Sequence, residues 1–175
     1  TRQQIYFIDN DDYFNRRQMS TDEKGVEYTD NGERAIFFAR GVLETVKKLR
    51  WQPDVIVCQG WVSAVVPFYI KTAYAEEPSF AESKVICAFY PNELKGSLGH
   101  NFKQCVEYRE ATPDMLADYG DDFDFLELAK MAIDYSDGVV EAAEGVNAEV
   151  IKYAEDKNKP LLRFPGDDFA EPYAK

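Results

Sequence analysis

Three short loops carry the residue types in this sequence that could do chemistry. Residues 9–12 (DNDD), 59–61 (QGW) and 90–96 (YPNELKG) each follow an apolar run that is typical of a buried strand. In open α/β sheets, ligands bind at the carboxyl ends of the strands. We therefore expect a binding site where these three loops meet.

The acidic loop and the histidine each allow a functional and a structural interpretation. Residues 9–12 could hold a divalent cation through their carboxylate oxygens, but we favour a solvated loop, because the sequence has no second acidic cluster of matching spacing. His100 is the only histidine and lies in a glycine-rich polar loop, so we expect a surface residue. Neither G-x-G-x-x-G nor a Walker loop occurs, so the residues alone suggest no catalytic constellation.

Alternating strand and helix patterns would position these loops. Apolar runs predict strands at residues 5–8, 54–58, 84–89, 138–140 and 160–164. Helical spacing predicts helices over 33–50, 61–74, 123–135 and 147–156, the last of them capped by Asn147. The alternation predicts an α/β fold with an open, mainly parallel Rossmann-like sheet and helices on both faces. We expect residues 55–57 and 85–87 to form adjacent central strands, since neither run alternates with polar residues.

Composition restricts the kind of protein and its partners. With 175 residues, of which 45% are hydrophobic, the chain suits one domain over residues 1–175. The net charge of -12 repels phosphate backbones and anionic lipids, so we expect no nucleic acid and no membrane partner. The three cysteines lack C-x-x-C spacing and no signal peptide is visible, which favours buried, reduced thiols and a cytoplasmic location.

A series of short motifs resembles one enzyme family. Residues 25–31 (GVEYTDN), with the Arg34 that follows, look like G-x-D-Y-x-D-N-x-x-R-F, and residues 13–16 (YFNR) look like Y-F-x-R. Residues 51–56 (WQPDVI) and 61–71 (WVSAVVPFYIK) resemble W-x-P-D-I-I and W-x-T-A-L-V-P-x-Y-L-K. Over residues 6–74 the order and spacing are similar to those of bacterial glycogen synthases and plant starch synthases, and a weaker likeness continues to residue 154.

The resemblance implies the amino-terminal lobe of a two-lobed, Rossmann-like glycosyltransferase. The family transfers glucose from ADP-glucose or UDP-glucose to the non-reducing end of an α-1,4-glucan without a catalytic metal, so we expect no cofactor. The implied partners are an α-glucan (glycogen or starch) and a nucleotide-sugar. The resemblance assigns no catalytic residue, and by position in the family's loops the implied substrate-binding residues are Gln59, Gly60, Trp61, Tyr90, Lys95 and Gly96.

The sugar-binding loops depart from the family pattern. Where the family has H-x-H-D-W, residues 57–61 read VCQGW, so only Trp61 is kept. The T-I-H-N and T-V-S-P segments are replaced by CAFY at 87–90 and EAAE at 141–144. The K-x-G-G-L loop would precede Thr1, so we expect a domain that is incomplete at its amino-terminal end. Self-association or a partner chain could supply the second lobe.

Two hypotheses of function follow from the match and the departures. The first is a glycogen or starch synthase-like glucosyltransferase lobe that is inactive as this chain alone. The alternative is a non-catalytic glucan-binding or regulatory module derived from that family. We also expect core packing, rather than substrate, to hold Trp61, because an indole after a tight turn can cover the sheet with a large apolar surface.

Overall fold

A computed structural model describes residues 3–91 and 93–166. Within these ranges the α-helices are α1 (Asp11–Phe14), α2 (Asn31–Lys48), α3 (Val66–Lys71), α4 (Phe102–Cys105), α5 (Phe125–Asp134) and α6 (Ala148–Asp156). The strands are β1 (Val55–Gln59), β2 (Lys84–Phe89), β3 (Gly138–Glu141) and β4 (Leu161–Leu162). Short 3-10 turns lie at Trp61–Ser63 and Pro113–Leu116. In this part of the chain, no helix is both long and apolar enough to cross a membrane.

The four strands form one parallel sheet in the order β1-β2-β3-β4. Cys58 lies opposite Cys87 in the register, and Cys87 lies opposite Val139. The predicted α/β class is confirmed, and so is the prediction that residues 55–57 and 85–87 lie in adjacent parallel strands.

The cap and breaker residues set the limits of the longer helices. Asp124 caps α5 by accepting a hydrogen bond from the backbone N–H of Glu127 at 2.9 Å. Asn147 caps α6 in the same way through Glu149, also at 2.9 Å, as the sequence predicted. The predicted helix over 61–74 is divided into a 3-10 turn and the six-residue α3. Pro67 lies at the start of α3, where its missing N–H costs nothing.

The hydrophobic core lies against one face of the sheet. Alternate strand residues, among them Cys58, Val85, Cys87 and Val139, pack in a single cluster with the buried residues of α2, α3, α5 and α6. Strand order follows chain order, and right-handed crossovers then place every connecting helix on the same side. The prediction of helices on both faces therefore applies to one face only of the sheet that these ranges describe.

The opposite face of the sheet is open to solvent, and this corrects the prediction that β1 is a central strand. Val55 and Val57 are 55% and 53% exposed, and β1 is an edge strand of the described sheet, so the prediction of a central β1 was wrong. The β-branched run indicated two-sided burial, but only its inward residues are covered. Residues 5–8 are not a strand, although Tyr6 packs edge-to-face on Trp51 with 5.1 Å between ring centroids.

Candidate functional site

The turn after β1 lies at the carboxyl edge of the sheet and requires a glycine. Gly60 has φ 72° and ψ 177°, a conformation that is essentially restricted to glycine. Its N–H donates to the Ala88 carbonyl at 3.3 Å, which joins the ends of β1 and β2. The Ser63 hydroxyl donates to the carbonyls of Gln59 and Gly60 at 2.9 and 3.1 Å. Bonds from the neighbouring strand and from the Ser63 hydroxyl thus hold the turn, and of residues 59–63 only Gln59 is exposed.

Trp61 points into the core and not into a cleft. Its side chain is 5% exposed and belongs to the main hydrophobic cluster. The Arg34 guanidinium lies 5.9 Å from the centre of the indole, on the side of α2. This burial agrees with the predicted packing role, and it leaves no open indole face on which a sugar could stack.

The loop after β2 is tied to the chain segment before α2. Phe89, which ends β2, is buried in the core, and Tyr90 is half-buried. The backbone N–H groups of Lys95 and Gly96 both donate to the carboxylate of Glu27, each at 2.6 Å. These two amides could otherwise receive an anionic group of a ligand, but Glu27 already occupies them.

A hydrogen-bonded clamp joins Arg16 to Asp30 and Arg34 to the loop before α2. The sequence alone did not indicate it. Arg34 is 2% exposed and donates to the carbonyls of Tyr13 and Met19 at 2.8 and 2.6 Å. Burial lowers the pKa of this guanidinium. Arg16 makes two hydrogen bonds to Asp30, both at 2.6 Å, and these hold the pKa of Asp30 below its usual range. The clamp binds the loop before α2 to the helix.

A family model for the starch synthase catalytic domain matches residues 1–163. The chain belongs to the starch synthase catalytic domain family. It is 39% identical over 102 residues to the glycogen synthase of Vibrio parahaemolyticus, an alignment that covers 58% of this chain and 21% of that protein. It is 40% identical over 96 residues to the Chlorobium limicola enzyme of the same name, which covers 54% and 20% respectively.

A longer and more distant match extends across most of this starch synthase-type chain. The glycogen synthase of Photobacterium profundum is 28% identical over 153 residues, which covers 85% of this chain and 29% of that protein. The chain thus spans less than a third of the length of the relatives it matches.

The two remaining candidates from the sequence are the acidic loop at residues 9–12 and His100. Residues 9–12 lie at the amino-terminal end of α1, where the Asn10 side chain accepts from the N–H groups of Asp12 and Tyr13. Residues 3–8, the described residues before this loop, form no strand, so its predicted place at the end of a strand was wrong. Across residues 3–91 and 93–166, no group of three His, Cys, Asp or Glu side chains is arranged to hold a metal ion. His100 is exposed, as predicted.

The three thiols differ in accessibility. Cys58 and Cys87 are buried, and burial raises the pKa of Cys58 to about 12 and that of Cys87 well above its usual value. Both are therefore poor nucleophiles. Cys105 is only partly buried.

The structure brings only some of the predicted site residues together. Gln59, Gly60 and Tyr90 lie at one edge, where β1 and β2 end. Trp61 is buried in the core, and the backbone amides of Lys95 and Gly96 are occupied by Glu27.

Proposed function

We propose that this chain is a glucosyltransferase-type lobe of the starch synthase family that does not transfer glucose by itself. The observation that carries the proposal is the edge of the sheet where β1 and β2 end. There Gly60, the buried Trp61 and the buried Phe89 offer no polar side chain to a reacting sugar. The polar side chains at this edge are those of Gln59, which is exposed, and Tyr90, which is half-buried.

Glycosyl transfer needs polar groups fixed where charge develops. An oxocarbenium-like transition state is stabilised by preorganised dipoles and charges around the sugar ring. Two exposed backbone amides of the loop after β2, those of Lys95 and Gly96, already donate to Glu27. The polar groups that remain, such as the Gln59 side chain, lie on an open surface, where water screens their effect.

An assay of glucose transfer tests the proposal. Purified protein is incubated with glycogen and either ADP-glucose or UDP-glucose labelled in the glucose, and the label in precipitated glycogen is counted. A full-length glycogen synthase is the positive control, and a heat-denatured sample of the same preparation is the blank. We expect no incorporation above the blank with either donor. Incorporation that rises in proportion to the native protein would overturn the proposal.

A second candidate function is a non-catalytic glucan-binding module derived from the same family. It is favoured by a groove along α2 that combines aromatic rings with charged side chains and lies outside the loops after β1 and β2. The groove supports binding without turnover, because a glucan held there need not approach the carboxyl edge of the sheet.

A further inference from the structure

The loop after β2 presents two neighbouring backbone N–H groups, those of Lys95 and Gly96, which we call the 95–96 amide pair. Each donates to a different carboxylate oxygen of Glu27, and both distances are 2.6 Å. Adjacent backbone amides can form a concave site for anions, and hydrogen bonds to an ionised acceptor are about twice as strong as those between neutral groups. Glu27 is 68 and 69 residues away in the chain, so no local turn or helix brings these groups together.

The 95–96 amide pair is held firmly, and its shape leaves room for a carboxylate. Leu94 and Leu98, on either side of it, are buried, and the N–H of Leu98 donates to the Phe123 carbonyl at 2.8 Å. A Cβ atom added at Gly96 would lie 2.8 Å from Oε2 of Glu27, which is closer than Cβ atoms approach other groups. Gly96 does not have a positive φ, so its backbone conformation would accept other residues. The carboxylate is therefore what requires a glycine at this position.

Glu27 belongs to a small hairpin over residues 20–28, which we call the strap. An antiparallel bridge pairs Thr21 with Glu27, and the N–H of Tyr28 donates to the Ser20 carbonyl at 3.0 Å. None of the residues of the strap is buried. Segments that bury few apolar side chains open at a low cost in free energy. Packing therefore contributes little to holding the strap in place.

The bonds to Glu27 join the tip of the strap to the body of the protein. At the base of the strap, the Asn31 side chain donates to the Ser20 carbonyl at 2.9 Å. The exposed ion pair between Glu23 and Arg17 stays within the loop before α2. In the part of the chain that the structure describes, the bonds from the 95–96 amide pair are the only hydrogen bonds that connect residues 21–27 with a residue after the strap.

We propose that the 95–96 amide pair is a carboxylate-binding site whose ligand in the closed protein is Glu27, and that this contact is the latch of the strap. Release of Glu27 frees the tip of the strap and leaves two N–H groups open to another carboxylate. Because Glu27 is tethered beside the site, its effective concentration is high, so a free carboxylate binds measurably only where Glu27 has been removed. The site requires neither a sugar nor a nucleotide, and its test is independent of the transfer assay.

Amide hydrogen exchange, measured by nuclear magnetic resonance, reports on the site directly. In Glu27→Ala, we expect the N–H groups of Lys95 and Gly96 to exchange about tenfold faster or more, because both lose an ionised acceptor. Sodium acetate should slow this exchange in the variant, whereas sodium chloride at the same ionic strength should not. The wild-type rates should not respond to acetate. Unchanged exchange in Glu27→Ala, or equal effects of the two salts, would overturn the carboxylate site.

Trypsin cleavage after Lys24, an exposed residue of the strap, reports on the latch. We expect about tenfold faster cleavage in Glu27→Ala, since proteolysis follows the population of the open segment. Acetate should not restore resistance, because it is not joined to the strap. Glu23→Ala is the matched control: it removes an exposed carboxylate of the same hairpin that pairs only with Arg17, so cleavage and exchange should stay at wild-type rates. Equal cleavage of the two variants would refute the latch.

Gly96→Ala tests the same contact from the other side. The added methyl group takes the space of the Glu27 carboxylate, so we expect faster cleavage after Lys24 although the sequence of the strap is unchanged. Glu27→Gln keeps one acceptor oxygen without the charge, and it should lie between the wild type and Glu27→Ala in both measurements. Circular dichroism establishes that each variant folds. A folded Gly96→Ala protein that trypsin cleaves at the wild-type rate would contradict the latch.

Discussion

At the residue scale, Trp61 occupies a position that matches the family motif, and its side chain is buried in the core. The residue before it, Gly60, takes a glycine-only conformation, and the indole then turns into the core instead of the cleft. Around the same edge, Glu27 and Arg34 bind backbone groups of neighbouring loops. Packing and hydrogen bonding thus hold these motif residues in place.

Replacement of Trp61 tests that account. We expect Trp61→Ala to lower the free energy of unfolding by about 3–5 kcal/mol, because it empties a buried site of large volume. Trp61→Phe should cost less, since it keeps most of the apolar contact. Urea unfolding measures both changes, and maltoheptaose affinity should be unaltered in the folded fraction. A Trp61→Ala protein of normal stability that no longer binds glucan would contradict the packing role.

At the element scale, the strands differ in how their two faces are covered. In β1, Cys58 faces the helices and is buried, whereas Val55 and Val57 face solvent. Neighbouring β2 has Val85 and Cys87 on the helix side, both buried. Both strands therefore bury their helix side, and they differ on the outer side, where Ile86 of β2 is partly buried and Val55 and Val57 of β1 are exposed.

Matched substitutions in the two strands should reveal this difference. Val57→Thr places a hydroxyl on the open face, and we expect the free energy of unfolding to change by less than about 0.5 kcal/mol. Val85 is 0% exposed, and Val85→Thr should cost about 1–3 kcal/mol, because the buried hydroxyl lacks a partner. Thermal or urea unfolding of the two variants side by side gives the comparison. Equal losses would mean that the outer face of β1 is covered in solution.

The sequence predicted the limits of the longer helices better than it predicted which faces of the strands are covered. Helix spacing and caps such as Asn147 are local signals, so α2, α5 and α6 fell close to their predicted limits. The cover on the outer face of β1 depends on chain topology, which periodicity does not encode. The run at residues 5–8 has strand composition but no pairing partner in the described sheet. At the site, the loop positions followed from the resemblance, whereas the ties made by Glu27 and Arg34 bridge residues far apart in the chain and left no local signal.

At the scale of the whole molecule, a one-sided sheet and a large negative charge have opposing effects. Parallel sheets are almost always covered on both faces, and here the outer face offers exposed Val55 and Val57 together with partly buried Ile86, Val140 and Leu162. Apolar surface of this kind promotes association. The net charge of -12 works against it, because copies of the chain repel one another.

Salt should shift the balance between these two effects. The screening length falls from about 10 Å at 0.1 M salt to about 3 Å at 1 M, so we expect a monomer in dilute buffer and concentration-dependent self-association in about 1 M sodium chloride. The mass is measured by light scattering after size exclusion. The Val55→Thr/Val57→Thr double variant should stay monomeric at high salt, because it makes the outer face more polar. Met115→Thr changes an exposed apolar residue away from the sheet, 44% exposed, and should associate like the wild type. If the double variant associates as readily as the Met115 control, the contact does not involve the open face of β1.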